Sequence, residues 1–271
     1  MKIHSILLWL RYYYNAQTIY DLDSPFIVEL IKSFSEKEEK CQALNDIENL
    51  RHEIKSSNAA FERTDLGAGN DNFKIISVKN SLKSSSTKSK CQILFKISQW
   101  AKPSRILELG THFGFGSIAL SSGACTLVDT IEGDPFLSEL ASKNLEIIKS
   151  SNINIHLGAF DEILPMLLST NTYDLFYVDG FHAYDATIRF TNSIKSRTDG
   201  KFLIIYDDIY WSKEMFGAWQ EIKKMKCFNY SLEYFGFGLI GYNPDIKTPI
   251  HKIICPTILK PFRMGFLRKS D

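Results

Sequence analysis

The spacing of apolar residues changes character near Ser104, and that change divides the chain. Over residues 1–60 glycine is scarce and apolar positions recur every three or four residues, which predicts helices. Ser24-Pro25 has the form of a helix start, Ser as N-cap and Pro at the first helical position, ahead of Phe26, Ile27, Leu30 and Ile31. In the charged stretch Glu36–Ser56, Leu44, Ile47, Leu50 and Ile54 form a narrow apolar stripe. That stripe suits a helix packed on its own domain, although a lid or a dimer contact would show the same spacing. A break follows at Arg63–Asn70, where Asp65-Leu66-Gly67-Ala68-Gly69 predicts a loop whose backbone a ligand can approach. Lys79–Lys90, rich in Ser and Lys, reads as solvated or as the start of the next helix. Cys91–Trp100 then has helical spacing at Ile93, Leu94, Ile97 and Trp100.

From Ser104 onward strand-like and helix-like patterns alternate, which predicts βαβ units and a largely parallel sheet. The expected strands are Arg105–Leu109, Thr126–Ile131, Ile153–Leu157, Leu175–Asp179, Phe202–Asp207, Asn229–Tyr234 and Phe237–Tyr242. The fourth and fifth are apolar for most of their length, as strands covered on both faces should be. The last two flank Phe235-Gly236, too close together for a helix, and predict an antiparallel hairpin closing the sheet. The expected fold is therefore α/β and Rossmann-like, seven strands with a helical N-terminal extension.

Composition adds limits. With 271 residues, 44% hydrophobic and 23% charged, the chain can bury a full core without staples. Its net charge of +1 excludes a nucleic-acid footprint spread over the whole surface. Five widely spaced cysteines with no C-x-x-C predict free thiols, mostly buried, in a reducing cytoplasmic setting. The apolar run Ile6–Leu10 is too short for a secretory or membrane-spanning segment. Residues 247–271 are basic and proline-bearing and carry Phe262, Phe266 and Leu267 near their end. They read as a solvated tail, with contact to a membrane surface as the alternative.

The candidate chemistry starts at Glu108-Leu109-Gly110-Thr111-His112-Phe113-Gly114-Phe115-Gly116, where a strand runs into a glycine-rich turn and a helix. Gly-x-x-x-Gly-x-Gly is not the dinucleotide spacing, and a carboxylate ahead of it would repel a pyrophosphate. It would attract a nucleoside with a cationic end, for which S-adenosylmethionine is the candidate. Glu132, in Thr130-Ile131-Glu132-Gly133-Asp134, ends the next strand, where an acidic side chain can accept hydrogen bonds from both ribose hydroxyls. Gly158-Ala159-Phe160-Asp161 follows the third strand and offers backbone and an aromatic ring for adenine.

These segments, with Tyr173–Tyr184 (YDLFYVDGFHAY) and Phe202–Ser212 (FLIIYDDIYWS), resemble class I S-adenosylmethionine-dependent methyltransferases, in particular the small-molecule O-methyltransferase branch. The resemblance covers about residues 90–245. It looks closest to a Bacteroidetes-type group with a short helical N-terminal extension, through Ser24-Pro25-Phe26 and Gly67-Ala68-Gly69. It implies three parts: a helical extension or lid at 1–85, a cofactor-binding domain at 86–246 and the basic tail at 247–271. It also implies that Glu108, Gly110, Thr111 and Gly114 surround the methionine end, and that Glu132, Gly133 and Asp134 lie at the ribose. Ala159 and Phe160 would then lie near adenine, and Asp179 beside the cofactor.

Asp179 ends the fourth expected strand, and Asp207-Asp208 the fifth, so three carboxylates should meet at one rim. Such a trio needs a cation or raised pKa values. Mg²⁺ held by Asp179, Asp207 and Asp208 is one resolution. The other has one Asp capping a turn and another paired with a basic side chain. Cation-dependent relatives similar to catechol O-methyltransferase carry Asn at the third position, where this chain has Asp208. His182, three residues after Asp179, is the candidate general base, with a structural role as the alternative; His112 is the weaker candidate. Tyr210, Trp211 and Trp219 suit an aromatic wall over the acceptor or, for Trp219 above all, core packing.

The expected reaction is methyl transfer to a small-molecule hydroxyl, catalysed by His182 and Asp179. The rivals are a non-catalytic binding or scaffold protein and an NAD(P)-dependent oxidoreductase, which the glycine spacing and Glu108 oppose. No Asn-Pro-Pro-Tyr-like motif follows the fourth strand, so no nucleic-acid partner is expected. A homodimer is an option left open by the N-terminal helices.

Overall fold

A computed structural model describes residues 3–35, 40–63, 74–198 and 200–260. Three helices open the chain: α1 (Ile3–Asn15), α2 (Pro25–Ser35) and α3 (Gln42–Ser56). The antiparallel pair β1 (Ala60–Arg63) and β2 (Lys74–Ser77) leads through one turn, α4 (Val78–Ser81), into α5 (Lys88–Ala101). Alternation then begins with β3 (Arg105–Leu109), α6 (Phe115–Ala124), β4 (Leu127–Glu132), α7 (Pro135–Ile147) and β5 (Ile153–Leu157). It continues through α8 (Phe160–Thr170), β6 (Leu175–Val178), α9 (Tyr184–Lys195), β7 (Phe202–Tyr206) and α10 (Lys213–Ile222). Strands β8 (Tyr230–Tyr234), β9 (Phe237–Tyr242) and β10 (Ile250–Ile254) follow.

The main sheet has eight strands in the order β10-β8-β9-β7-β6-β3-β4-β5. Strands β7, β6, β3, β4 and β5 are parallel, and β9 pairs antiparallel with both β7 and β8. Seven of the eight are the expected ones. The eighth, β10, corrects the seven-strand expectation: it pairs in parallel with β8 inside the segment read as a basic tail. Its apolar residues account for this, since Ile254 is fully buried and Tyr12 on α1 donates a 2.5 Å hydrogen bond to its carbonyl. The β1–β2 pair was also unforeseen. The Gly67-Ala68-Gly69 loop between those strands lies outside the described residues, as do residues 261–271.

Chain order departs from spatial order at β3: β4 and β5 extend to one side and β6 and β7 to the other. The crevice at such a reversal, outside the carboxyl ends of the strands, is where open α/β sheets take ligands.

Both faces of the sheet are covered. Helices α2, α3, α5 and α6 pack on one face; Leu44, Ile47, Leu50 and Ile54, the stripe seen in the sequence, join that core. On the other face α1 lies with α8, α9 and α10 through Leu8, Tyr12 and Ala16. The N-terminal residues thus contribute to both cores. Among the described residues no helix is long and apolar enough to cross a membrane. Of the five cysteines only Cys91 and Cys255 are buried, fewer than the sequence suggested.

Candidate active site

Four strand ends build the rim. Gly110 follows β3 with φ +105°, and a Cβ there would lie 2.4 Å from the carbonyl oxygen of Asp179, so only glycine lets the two central strand ends close on each other. The same approach is fixed by hydrogen bonds from Asp179 N to Leu109 O (2.9 Å) and from Gly110 N to Ile131 O (3.0 Å). Three non-glycine residues in the left-handed region, His112, Phe181 and Asp208, sit in the loops after β3, β6 and β7. Strained backbone gathered at one rim is the pattern of a functional edge.

The residues expected at the cofactor divide into those at the rim and those beneath it. Glu132, ending β4, accepts from His112 N (2.8 Å) on one oxygen and from Asp134 N (2.9 Å) on the other. Each oxygen keeps a lone pair, so the carboxylate both clamps the glycine turn and retains capacity for a diol. Burial raises its pKa, with those backbone donors pulling the other way. Glu108 does not face the rim. It is 1% exposed, hydrogen-bonded to Ser117 of α6, and packed so that a Cβ on Gly116 would lie 2.5 Å from it. Burial pushes its pKa up to about 7, against the Ser117 hydrogen bond.

Other expected contacts are also internal. Asp134 is the N-cap of α7, its Oδ1 accepting from Phe136 N (2.9 Å) and Leu137 N (3.1 Å). Thr111 is buried with its hydroxyl 2.7 Å from that of Thr130. Phe160 is 8% exposed and packs against Phe181 and Phe190, beneath Gly180. Ala159 is the N-cap of α8. His112 rests its Nε2 3.1 Å from the Ser81 hydroxyl, which anchors the glycine turn to α4.

Asp179, Asp207 and Asp208 stand at one rim, linked through Tyr177 and through a partner the sequence did not reveal. Lys90, in the first turn of α5, places Nζ 2.6 Å from Asp207 Oδ2 and 3.2 Å from Asp208 Oδ1. The Tyr177 hydroxyl lies 3.0 Å from both Asp179 Oδ2 and Asp207 Oδ2, and its single proton serves one of them at a time. Asp207 Oδ1 accepts from Asp208 N (2.7 Å), so this 1%-exposed carboxylate has donors on both oxygens. A divalent ion needs about six oxygen ligands. The ammonium and the tyrosine hydroxyl meet Asp207 Oδ2 and the Asp208 N–H takes Oδ1, and no group of three potential metal ligands gathers among the described residues. The residues as placed do not fit Mg²⁺; they match the alternative of a capped turn and a basic partner. Tyr177 was legible in principle, two residues before Asp179 and therefore on the same face of its strand. Lys90 was not, because nothing local distinguishes it from its solvated neighbours.

Asp179 and His182 remain open. Burial, then the neighbouring Asp207 charge, raises the Asp179 pKa well above the usual range, with Lys90 opposing. His182 holds Nε2 3.9 Å from Asp179 Oδ1, and its Nδ1 is buried with no hydrogen-bond partner among the described residues. Burial lowers its pKa, against the charges of Asp208 and Asp207. The aromatic residues do not form a wall together. Tyr210 packs on Trp9 and Tyr12 of α1, Trp219 is fully buried and donates to Glu233 Oε1 (2.9 Å), and Trp211 alone is exposed.

Comparison with known proteins agrees with the fold. A family model described as a methyltransferase domain matches residues 107–209, the segment from β3 to the Asp207-Asp208 rim. The uncharacterized protein y4gI of Sinorhizobium fredii is 28% identical over 167 residues; these make up 54% of this chain but only 18% of that protein's length. Among solved structures, the SAH-bound methyltransferase PaMTH1 of Podospora anserina superimposes with a TM-score of 0.59 at 13% identity, covering 82% of this chain and 97% of that one. The O-methyltransferase of Bacillus cereus in complex with SAH gives 0.55 at 13% identity, over 83% and 98% of the two chains. The O-methyltransferase TomG of Streptomyces achromogenes, in complex with SAM, gives 0.55 at 16%, over 76% and 91%. At such identities the likeness establishes the fold. Residues 107–209 therefore match a methyltransferase domain, and the chain has the fold of these methyltransferases.

Proposed function

We propose that the protein transfers a methyl group from S-adenosylmethionine to a hydroxyl of a small-molecule acceptor. The observation that carries this reading is the meeting of the Gly110 turn with Asp179 and His182 at the point where strand order reverses. Bound S-adenosylmethionine supplies a methyl on a sulfonium, whose C–S bond breaks with its electron pair left on sulfur. The residues that would hold it are Gly110, Gly114 and Gly133 through their backbone and Glu132 through its carboxylate. Glu108, Thr111, Asp134, Ala159 and Phe160 support that surface from beneath.

His182 accepts the proton of the acceptor hydroxyl as the oxygen takes the methyl. Nδ1 is buried, so Nε2, 3.9 Å from Asp179 Oδ1, is the ring nitrogen that takes the proton. A depressed imidazole pKa suits this role, because the neutral form is then present at and below neutral pH. Positioning of the acceptor oxygen supplies much of the remaining acceleration.

Calorimetric titration with S-adenosylmethionine and S-adenosylhomocysteine tests the first half of the reading. Both should bind, and Glu132→Ala should weaken them by at least about tenfold, near 1.4 kcal/mol. Binding of NADH in their place would remove the assignment, and an unchanged affinity in Glu132→Ala would remove the ribose role.

A further inference from the structure

The position of Lys90 runs against two physical preferences at once. It stands in the first turn of α5, where aligned peptide dipoles disfavour a cation, and that turn contains no acidic residue of its own. Its side chain is only 27% exposed, so it has given up much of its water. What offsets both costs is the carboxylate rim, reached across a separation of 117 residues. An ammonium has three donors. Two face Asp207 and Asp208, and the third is not committed to a carboxylate.

We propose that the Lys90 ammonium stands where related enzymes of this fold would use a divalent cation, and that it offers its remaining N–H to the acceptor oxygen, so that methyl transfer is metal-independent. This rests on the methyl-transfer reading above. The atoms balance without a metal: the acceptor oxygen forms the new bond to carbon, sulfur keeps the electron pair of the broken bond, and the hydroxyl proton passes to His182. Lys90 remains protonated throughout and acts as a fixed charge. A metal ion chelates two neighbouring oxygens, whereas one N–H serves a single oxygen, so the acceptor is expected to need only one hydroxyl at the site.

The test uses Mn²⁺ as probe, read by electron paramagnetic resonance on the purified full chain. Wild type should leave added Mn²⁺ free in solution, and Lys90→Ala, by vacating the acidic rim, should bind it. Mn²⁺ bound to wild type and lost in Asp207→Asn would overturn the proposal, as would a folded Lys90→Ala that binds none. If Lys90→Ala does not fold, the wild-type titration still decides, and Lys90→Arg retains the charge. Where turnover is measured, chelator should leave it unchanged, and Lys90→Ala should lower kcat by about 10²-fold, the scale of losing one preorganised donor. Turnover that chelator abolishes and Mg²⁺ restores would sink the idea. The Mn²⁺ readout does not require activity, so absence of methyl transfer and failure of the Lys90 proposal are separable.

Discussion

Two aspartates at opposite ends of one parallel sheet carry opposite electrostatics. Asp129, near the start of β4, receives Arg105 Nε at 2.6 Å, the Tyr173 hydroxyl at 2.9 Å, His156 Nε2 at 2.9 Å and Asn154 Nδ2 at 3.1 Å. Burial pulls its pKa up, yet these donors hold it below the usual carboxylate range. Asp179, at the opposite end, has one tyrosine hydroxyl and a histidine at 3.9 Å, and burial beside Asp207 drives its pKa the other way. The amino end spends its hydrogen-bonding capacity on holding strands together. The carboxyl end keeps capacity unspent, at a cost in stability, and perturbed groups in a crevice of this kind mark sites of chemistry.

The sharpest way to break that contrast is to change one residue at each end. His182→Gln should lower kcat by about 10²- to 10⁴-fold, the range for a general base, while S-adenosylhomocysteine affinity measured by calorimetry stays near wild type. The pH profile gives a second readout: activity should rise with pH through a value below the ordinary histidine range and lose that limb in the variant. Full activity in His182→Gln would return this histidine to a structural role.

Glu108 tests the cost of the carboxyl end. Between the ordinary 4.5 and about 7 the folded carboxyl keeps a proton that the unfolded chain has released. Stability should therefore fall as pH rises through that window. Across it the wild type should lose about 3 kcal/mol more than Glu108→Gln, measured by urea unfolding at each pH. Parallel curves for the two proteins would show that Glu108 is already ionised in the fold.

The smallest effect is expected at the amino end. Arg105→Ala should cost about 2 kcal/mol, the worth of a charge-assisted hydrogen bond to a buried acceptor. The folded variant should turn over normally. A fall in kcat without a fall in stability would dissolve the division between the two ends.

The sequence by itself determined seven of the main sheet's eight strands. Strands β6 and β7 are apolar runs bounded by turn residues, and the glycine turn after β3 is a local signal needing no distant partner. Helix α3 was legible for the same reason, since its stripe repeats with the helical period and is buried on the domain's own core. Strand β10 was hidden because its isoleucines sit among bases and prolines, and its pairing with β8 is a long-range event. Only the tertiary structure decided which carboxylates are exposed and which are spent. Glu108 and Asp134 stand beside strand ends as contact residues would, but one lies under α6 and the other caps α7. Lys90 shows the limit most clearly. Periodicity tells which face a residue occupies, whereas the charge that face will meet depends on folding elements far apart in the chain onto one rim.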